Sequence, residues 1–337
     1  MDKNQLSKWA AMLFGAILMG SAASASAKDL KMSLWFADKH FMVEQIFRPF
    51  VEDVKKATNG EVNIVIYSSA VLGNINNQAS LVENGIADIA MIVPSYTRAR
   101  FPLTESASLP FAFDNAAHGN RVFAKLKPYL DEEFKDFKFL FLTLNTPGAL
   151  MTATKPIRRI EDLKGTRISG SGAAQQSFLQ SLGAVSDFMP ISEKYVAMER
   201  GTIEGSIMPL ASAPGYKYEE VTKFINRWNH SATPLVVIMN KSSWSKLKPA
   251  EQKAIDDAAA VAGKKIGPAY DAEDEVGLKV MLAKGAKVVD FPPEDMEKLK
   301  SMANPFWDQY LNDLRGKTKS ADKFMADFRA AIKETRQ

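Results

Sequence analysis

The imidazoles available for chemistry are three, His40, His118 and His230, and no two of them stand at a metal-ligand spacing. There is no HExxH motif and no cysteine, so a zinc site has no donor set to draw on. Gly170-Ser171-Gly172 sets a hydroxyl between two glycines. Its surroundings complete no GxGxxG, no phosphate loop and no GxSxG, so a turn or a helix start facing an anion is read ahead of a catalytic serine. The acid pairs Glu132-Glu133 and Glu219-Glu220 lie side by side in helical surroundings and read as water-facing. No nucleophile has a base at a readable spacing. No catalytic residue, metal or cofactor is assigned, and the chain is read as a non-enzyme.

With catalysis set aside, binding is the remaining class, and the elements that would position a ligand are legible. Lys3, Lys8, an apolar run from Trp9 to Met19 and an Ala25-Ser26-Ala27 pattern form a secretory signal peptide over residues 1–27. That run is shorter than the roughly 20 apolar residues of a spanning helix. The expected mature protein is exported, has no cysteine to carry lipid, and is a monomer. The net charge of +4, from 43 basic and 39 acidic residues interspersed as in "EDVKKATNGE", is too small and too mixed for a nucleic-acid partner.

A strand to Trp35 precedes an amphipathic helix with Met42, Ile46, Phe50 and Val54 at helical spacing, bent at Pro49 and capped near Gly60. "EVNIVIY" is a strand, "NNQASLVENG" a helix and "IADIAMIV" a strand, an alternation that predicts a parallel sheet covered on both faces. The pattern resumes at "FKFLFLTLN", through an α/β unit over 161–205, and again at "LVVIMN". The expected architecture is α/β with two lobes, residues 28–148 with 236–284 and residues 149–235 with 285–337. Crossing strands near 146–150 and 231–236 form the hinge. A long helix over 248–284, kinked at Gly267-Pro268, braces both lobes.

Six stretches in order, "FVEDVKKATNGEVNIVIYSSAVLG", "LVENGIADIAMI", "LPFAF", "KPIRRIEDLKGTRI", "LGAVSDFMPISEKYVAMERGTIEG" and "MPL", resemble the solute-binding proteins of tripartite ATP-independent periplasmic (TRAP) transporters, of the C4-dicarboxylate-binding type. The resemblance implies a two-lobed periplasmic receptor that closes over one small solute. It delivers the solute to a permease of large and small membrane subunits driven by an ion gradient. The same two-lobed design serves ATP-driven importers, which is the alternative reading.

In the family, an arginine two residues beyond the position of Arg167 grips the ligand carboxylate with a two-pronged ion pair. Here that position is Ser169, and a second arginine used by some members falls at Ala149. The other positions matching the family's pocket are Trp35, Asn74, Val93, Ile191 and Met208, with His230 near the lobe crossing. Ser169 cannot neutralise an anion, so the implied ligand is one other than a dicarboxylate, or an acid held by a rebuilt anchor. Arg167, Arg98 and Arg100 are the candidates for such an anchor, and Arg167 is expected to be a surface residue.

Overall fold

The computed structural model describes residues 28–97, 100–170 and 172–336, so the signal peptide expected over 1–27 and Arg98 lie outside it. Among the described residues no helix is long and apolar enough to cross a membrane.

β1 (Lys28–Ser33), β2 (Val62–Tyr67) and β3 (Ile89–Ile92) run parallel, as the alternation predicts. β4 (Lys138–Leu144) leaves for the second lobe, and β9 (Pro234–Met239) returns from it antiparallel to both β3 and β4. The sheet is therefore mixed, in the order β2-β1-β3-β9-β4. The physical reason is that a chain re-entering from the cleft must run opposite to the strand that left. The second sheet has the order β10-β8-β5-β7-β6, built from β5 (Ala149–Thr152), β6 (Ile168–Ser169), β7 (Gly205–Met208), β8 (Phe224–Asn226) and β10 (Lys287–Val288). The crossings are pinned to each other. Asn145 N–H donates to Thr233 O at 3.2 Å, Thr233 N–H to Asn145 Oδ1 at 2.7 Å, and Gly148 N–H to Ser231 O at 3.0 Å.

Pro49 does not bend a continuous α-helix. It sits in the first turn of α1 (Arg48–Ala57), directly after a π-helical turn (Met42–Phe47) that widens the backbone where the proline lacks an N–H. Four further helices matter to the site: α3 (Ala116–Lys125), α5 (Ala173–Ser181), α6 (Ile191–Glu199) and α9 (Pro249–Ala283). α9 is 35 residues long with Pro268 inside it, and it touches both lobes. Asp271 on α9 accepts the N–H groups of Ala116 and Ala117 at 2.8 and 3.0 Å, capping α3 of the first lobe. One turn on, Asp274 accepts Thr146 Oγ1–H at 2.6 Å in the crossing and Ala211 N–H at 2.9 Å in the second lobe.

Residues 285–337 do not stay with the second lobe as the sequence reading has them. α10 (Pro293–Arg315) packs Leu299 and Ala303 against the second lobe, whereas α11 (Ala321–Thr335) buries Phe324, Met325 and Phe328 among Phe113, Val122 and Phe123 of the first. An aromatic face this large is satisfied by whichever core offers rings, and those rings belong to the first lobe. Glu133, read as water-facing, instead clamps the 103–104 backbone by accepting from the N–H groups of Leu103 and Thr104 and from the Thr104 hydroxyl; burial pushes its carboxyl up to about 7.

Candidate functional site

A cavity of about 50 Å³ lies between the lobes. Four of the seven predicted site residues meet there: Trp35, Val93, Ile191 and Met208. Trp35 follows β1, Val93 follows β3 and Met208 ends β7, so three of them stand at the carboxyl ends of strands, where open α/β sheets bind ligands. The first-lobe wall adds Phe36, Ile75 and Tyr96; the second adds Ile207, Pro209, Ser212 and Tyr216; the crossings add Asn145, Thr233 and Leu235, and α9 supplies Tyr270.

The aromatic groups are held in fixed relations. Trp35 faces the Tyr216 hydroxyl across the lobes and partly offsets the effect of burial on that phenol. Its ring lies 4.6 Å from that of Phe36, which stacks on His40 at 4.4 Å, and Phe41 meets Tyr270 edge-on at 5.0 Å. Tyr96 receives the Ile191 N–H on its hydroxyl at 3.4 Å and sets its ring edge-on to Phe188 at 5.3 Å. Burial pushes the Tyr96 phenol up to about 12 and raises those of Tyr216 and Tyr270, so all three are neutral donors at ordinary pH. Among the described residues, none that lines the cavity carries a formal charge.

The other three predicted residues are elsewhere. Asn74 is exposed, and its side chain accepts the Asn76 N–H at 2.9 Å; its neighbour Ile75 forms the wall. Ser169 is 1% exposed, with its hydroxyl 3.3 Å from Gly170 O and 3.4 Å from Asp187 O. It closes on backbone and does not line the cavity. His230 is fully buried in the crossing, between the rings of Phe178 and Trp228, each 4.9 Å away. Gln175 Nε2 donates to Ser231 Oγ at 2.8 Å, and Ser231 Oγ is hydrogen-bonded in turn to His230 Nδ1 at 2.8 Å.

Burial depresses the His230 imidazole to about 3 and that of His40 to about 4. A folded pKa below the unfolded one stabilises the protein above the unfolded value and loses that stability as pH falls. The window here runs from the ordinary 6.5 down toward 3. A buried neutral His230 costs the fold about 1.4 kcal/mol for each pH unit below 6.5. Glu133, its carboxyl raised by burial, acts in the opposite sense in both proteins, so in thermal unfolding followed from pH 7.5 to 4.5 the His230→Gln midpoint should gain on that of wild type as pH falls. A slope equal in the two proteins refutes that assignment.

The candidate anchors are placed plainly. Arg167 is half-exposed, with Nε donating to Thr202 O at 2.9 Å and Nη2 to Gly201 O at 3.0 Å, on the outer turn of the second lobe. Arg100 pairs with Glu83 and packs its guanidinium 5.0 Å from the Phe137 ring on the first lobe. Arg167→Ala should change solute affinity less than about tenfold, or ~1.4 kcal/mol; a loss of two decades in titration calorimetry contradicts this placement.

The family model described as DctP, bacterial extracellular solute-binding protein, family 7, matches residues 33–313. The chain belongs to this family. It is the TRAP solute-binding family, one of receptors rather than enzymes. The 2,3-diketo-L-gulonate-binding periplasmic protein YiaO of Escherichia coli K12 is 26% identical over 265 residues, which cover 76% of this chain and 80% of YiaO. A TRAP solute-binding protein of Rhodoferax ferrireducens T118, solved with copurified benzoate, has a TM-score of 0.86 at 26% identity over 92% of this chain and 98% of its own. A marine metagenome TRAP protein specific for aromatic acid ligands, solved with 3-hydroxybenzoate, gives 0.86 at 24% identity, over 92% of this chain and 99% of its own. Members of the family bind small solutes for a TRAP permease, and the relatives YiaO and the sialic acid-binding SiaP of Vibrio cholerae are periplasmic proteins.

Proposed function

We propose that this TRAP receptor captures one small organic acid of single negative charge and flat, largely apolar body, and hands it to the large and small permease subunits in the periplasm. The observation that carries the reading is the wall of Trp35, Phe36, Tyr96, Tyr216 and Tyr270 around a cavity with no charged lining residue among those described. Flat rings stack on such walls, while the phenols and Asn145 offer neutral hydrogen bonds. The benzoate and 3-hydroxybenzoate bound to similar TRAP proteins have this shape.

A cavity of about 50 Å³ is too small for such a solute. Entry therefore requires the lobes to part about the crossings, and the solute, touching both walls, favours the closed state on binding.

The reading is tested by titrating the purified protein with benzoate, 3-hydroxybenzoate and mandelate while following tryptophan fluorescence. At least one should bind at micromolar Kd or tighter and quench the signal, and the quench should vanish in Trp35→Phe. A protein that ignores all three acids and binds a polyol or an amine overturns the reading.

A further inference from the structure

Tyr96 lines the cavity from the first lobe, yet its hydroxyl oxygen is claimed by the second. The donor, at 3.4 Å, is the N–H of Ile191, the first residue of α6, which follows Pro190 as its cap. The inner face of α6 is buried in the second lobe through Lys194, Ala197 and Met198, so this N–H is held in place. A phenol has one proton to give and lone pairs to receive with. With a lone pair turned to Ile191, the O–H bond points elsewhere, and among the described residues no acceptor meets it. The cavity that Tyr96 lines is where that proton can be given.

An N–H in the first turn of a helix carries part of the helix's positive end. Donated into the phenol oxygen, it draws electron density away and makes the outgoing O–H a stronger donor, because chained hydrogen bonds polarise one another. An ionised carboxylate gains most from such a donor, since charge-assisted bonds are roughly twice as strong as neutral ones. Burial keeps the phenol neutral, pushed up to about 12, so the proton is present throughout the neutral range.

We propose that Tyr96 is the donor that receives the solute's carboxylate, and that closure of the lobes sets its strength by bringing the Ile191 N–H to its oxygen. The inference rests on the reading of the solute as a singly charged acid and sharpens it. Tyr96 belongs to one lobe and Ile191 to the other, so the open receptor holds the phenol without its partner and the solute meets the full donor only once enclosed. A single polarised O–H serves one carboxylate oxygen and leaves the rest of the solute to the aromatic walls, whereas a guanidinium would impose a fixed two-pronged geometry.

The test is calorimetry at pH 7 with whichever of benzoate, 3-hydroxybenzoate and mandelate binds, and with the neutral amide of the same acid, on wild type, Tyr96→Phe, Ile191→Pro and Ile191→Val. Tyr96→Phe keeps the ring, and it should weaken the acid at least about 30-fold and the amide less than about fivefold. Proline is accepted at the first position of a helix and removes the N–H there. Ile191→Pro should therefore weaken the acid at least about fivefold beyond Ile191→Val, which keeps that N–H. If Ile191→Pro fails to fold, amide exchange at Ile191 takes its place: the bound acid should slow it in wild type and not in Tyr96→Phe. Acid bound by Tyr96→Phe within about threefold of wild type, or acid and amide weakened equally, overturns the role of Tyr96 and leaves the organic-acid reading intact. Equal affinities in Ile191→Pro and Ile191→Val, or exchange at Ile191 unaltered by the acid in wild type, overturn the part given to closure. Failure of the wild type to bind any of the three acids overturns that reading and the role of Tyr96 together.

Discussion

Gly277→Val should destabilise the protein by about 3 kcal/mol, a fall of roughly 5 °C in the melting midpoint for a chain of this size. Gly277 lies on α9 where the helix runs against the Leu210–Ser212 turn of the second lobe. A Cβ added there collides with the Leu210 carbonyl oxygen and comes within 2.6 Å of its carbon. These are backbone atoms, which cannot rotate aside as a side chain would, so either the helix or the turn must retreat. The turn is the weaker partner, being three residues of 3-10 helix beside a 35-residue helix. It also carries Pro209 and Ser212 to the cavity, and its Ala211 N–H is tied to Asp274. Retreat of the turn therefore opens the second-lobe wall, and affinity for any solute should drop about 100-fold, or ~2.7 kcal/mol. Differential scanning calorimetry and a solute titration on the same preparation check both numbers. A variant that melts and binds like wild type shows that α9 does not set the position of this wall.

Much of this arrangement is legible in the chain because it depends on local pattern. Alternation of strand and helix is enforced by periodic apolar residues, such as Val62, Ile64 and Ile66, and the return at β9 marks the second crossing. Trp35, Val93 and Met208 come from the resemblance to the family's pocket positions, and the fold sets each of them at the end of a strand. Tyr96 carries the same signal, standing just beyond β3 in "VPSY", and was there to be read. Ser169 is a different case. Matching a family position fixes its place on β6 but not the direction of its hydroxyl, and here the Asp187 carbonyl lies within its reach. His230 is buried by rings that arrive from residues 111, 178 and 228, a convergence without local trace.

Lys194 and α11 were illegible for the same reason. "SEKYVAMER" places the lysine between charged and polar neighbours, where it reads as part of a solvated face. Its burial is decided by which side of α6 meets the second sheet. The apolar face of α11 is plain in the chain, yet nothing in its periodicity says which of two cores it covers. Tertiary context settles both, and in a two-lobed protein that context has twice as many candidates.

Succinate, malate and fumarate should bind at least about 1000-fold more weakly than a monocarboxylate that fits, because they bring a second charge into a cleft whose described lining residues carry none. The lining offers Trp35, Phe36 and Ile75, and a second ionised carboxylate desolvated against such groups loses several kcal/mol that no neutral hydrogen bond restores. Protonating the second carboxyl would relieve the penalty, but that costs free energy in proportion to the gap between its pKa and the working pH. The discrimination should therefore narrow as the pH falls from 7 toward 5, as the singly charged form of each diacid becomes common. Competition calorimetry with succinate against bound benzoate at both pH values reads the ratio directly. Micromolar succinate at pH 7 would require cations at the cleft, and Arg98, outside the described residues, would be the first side chain to replace by alanine.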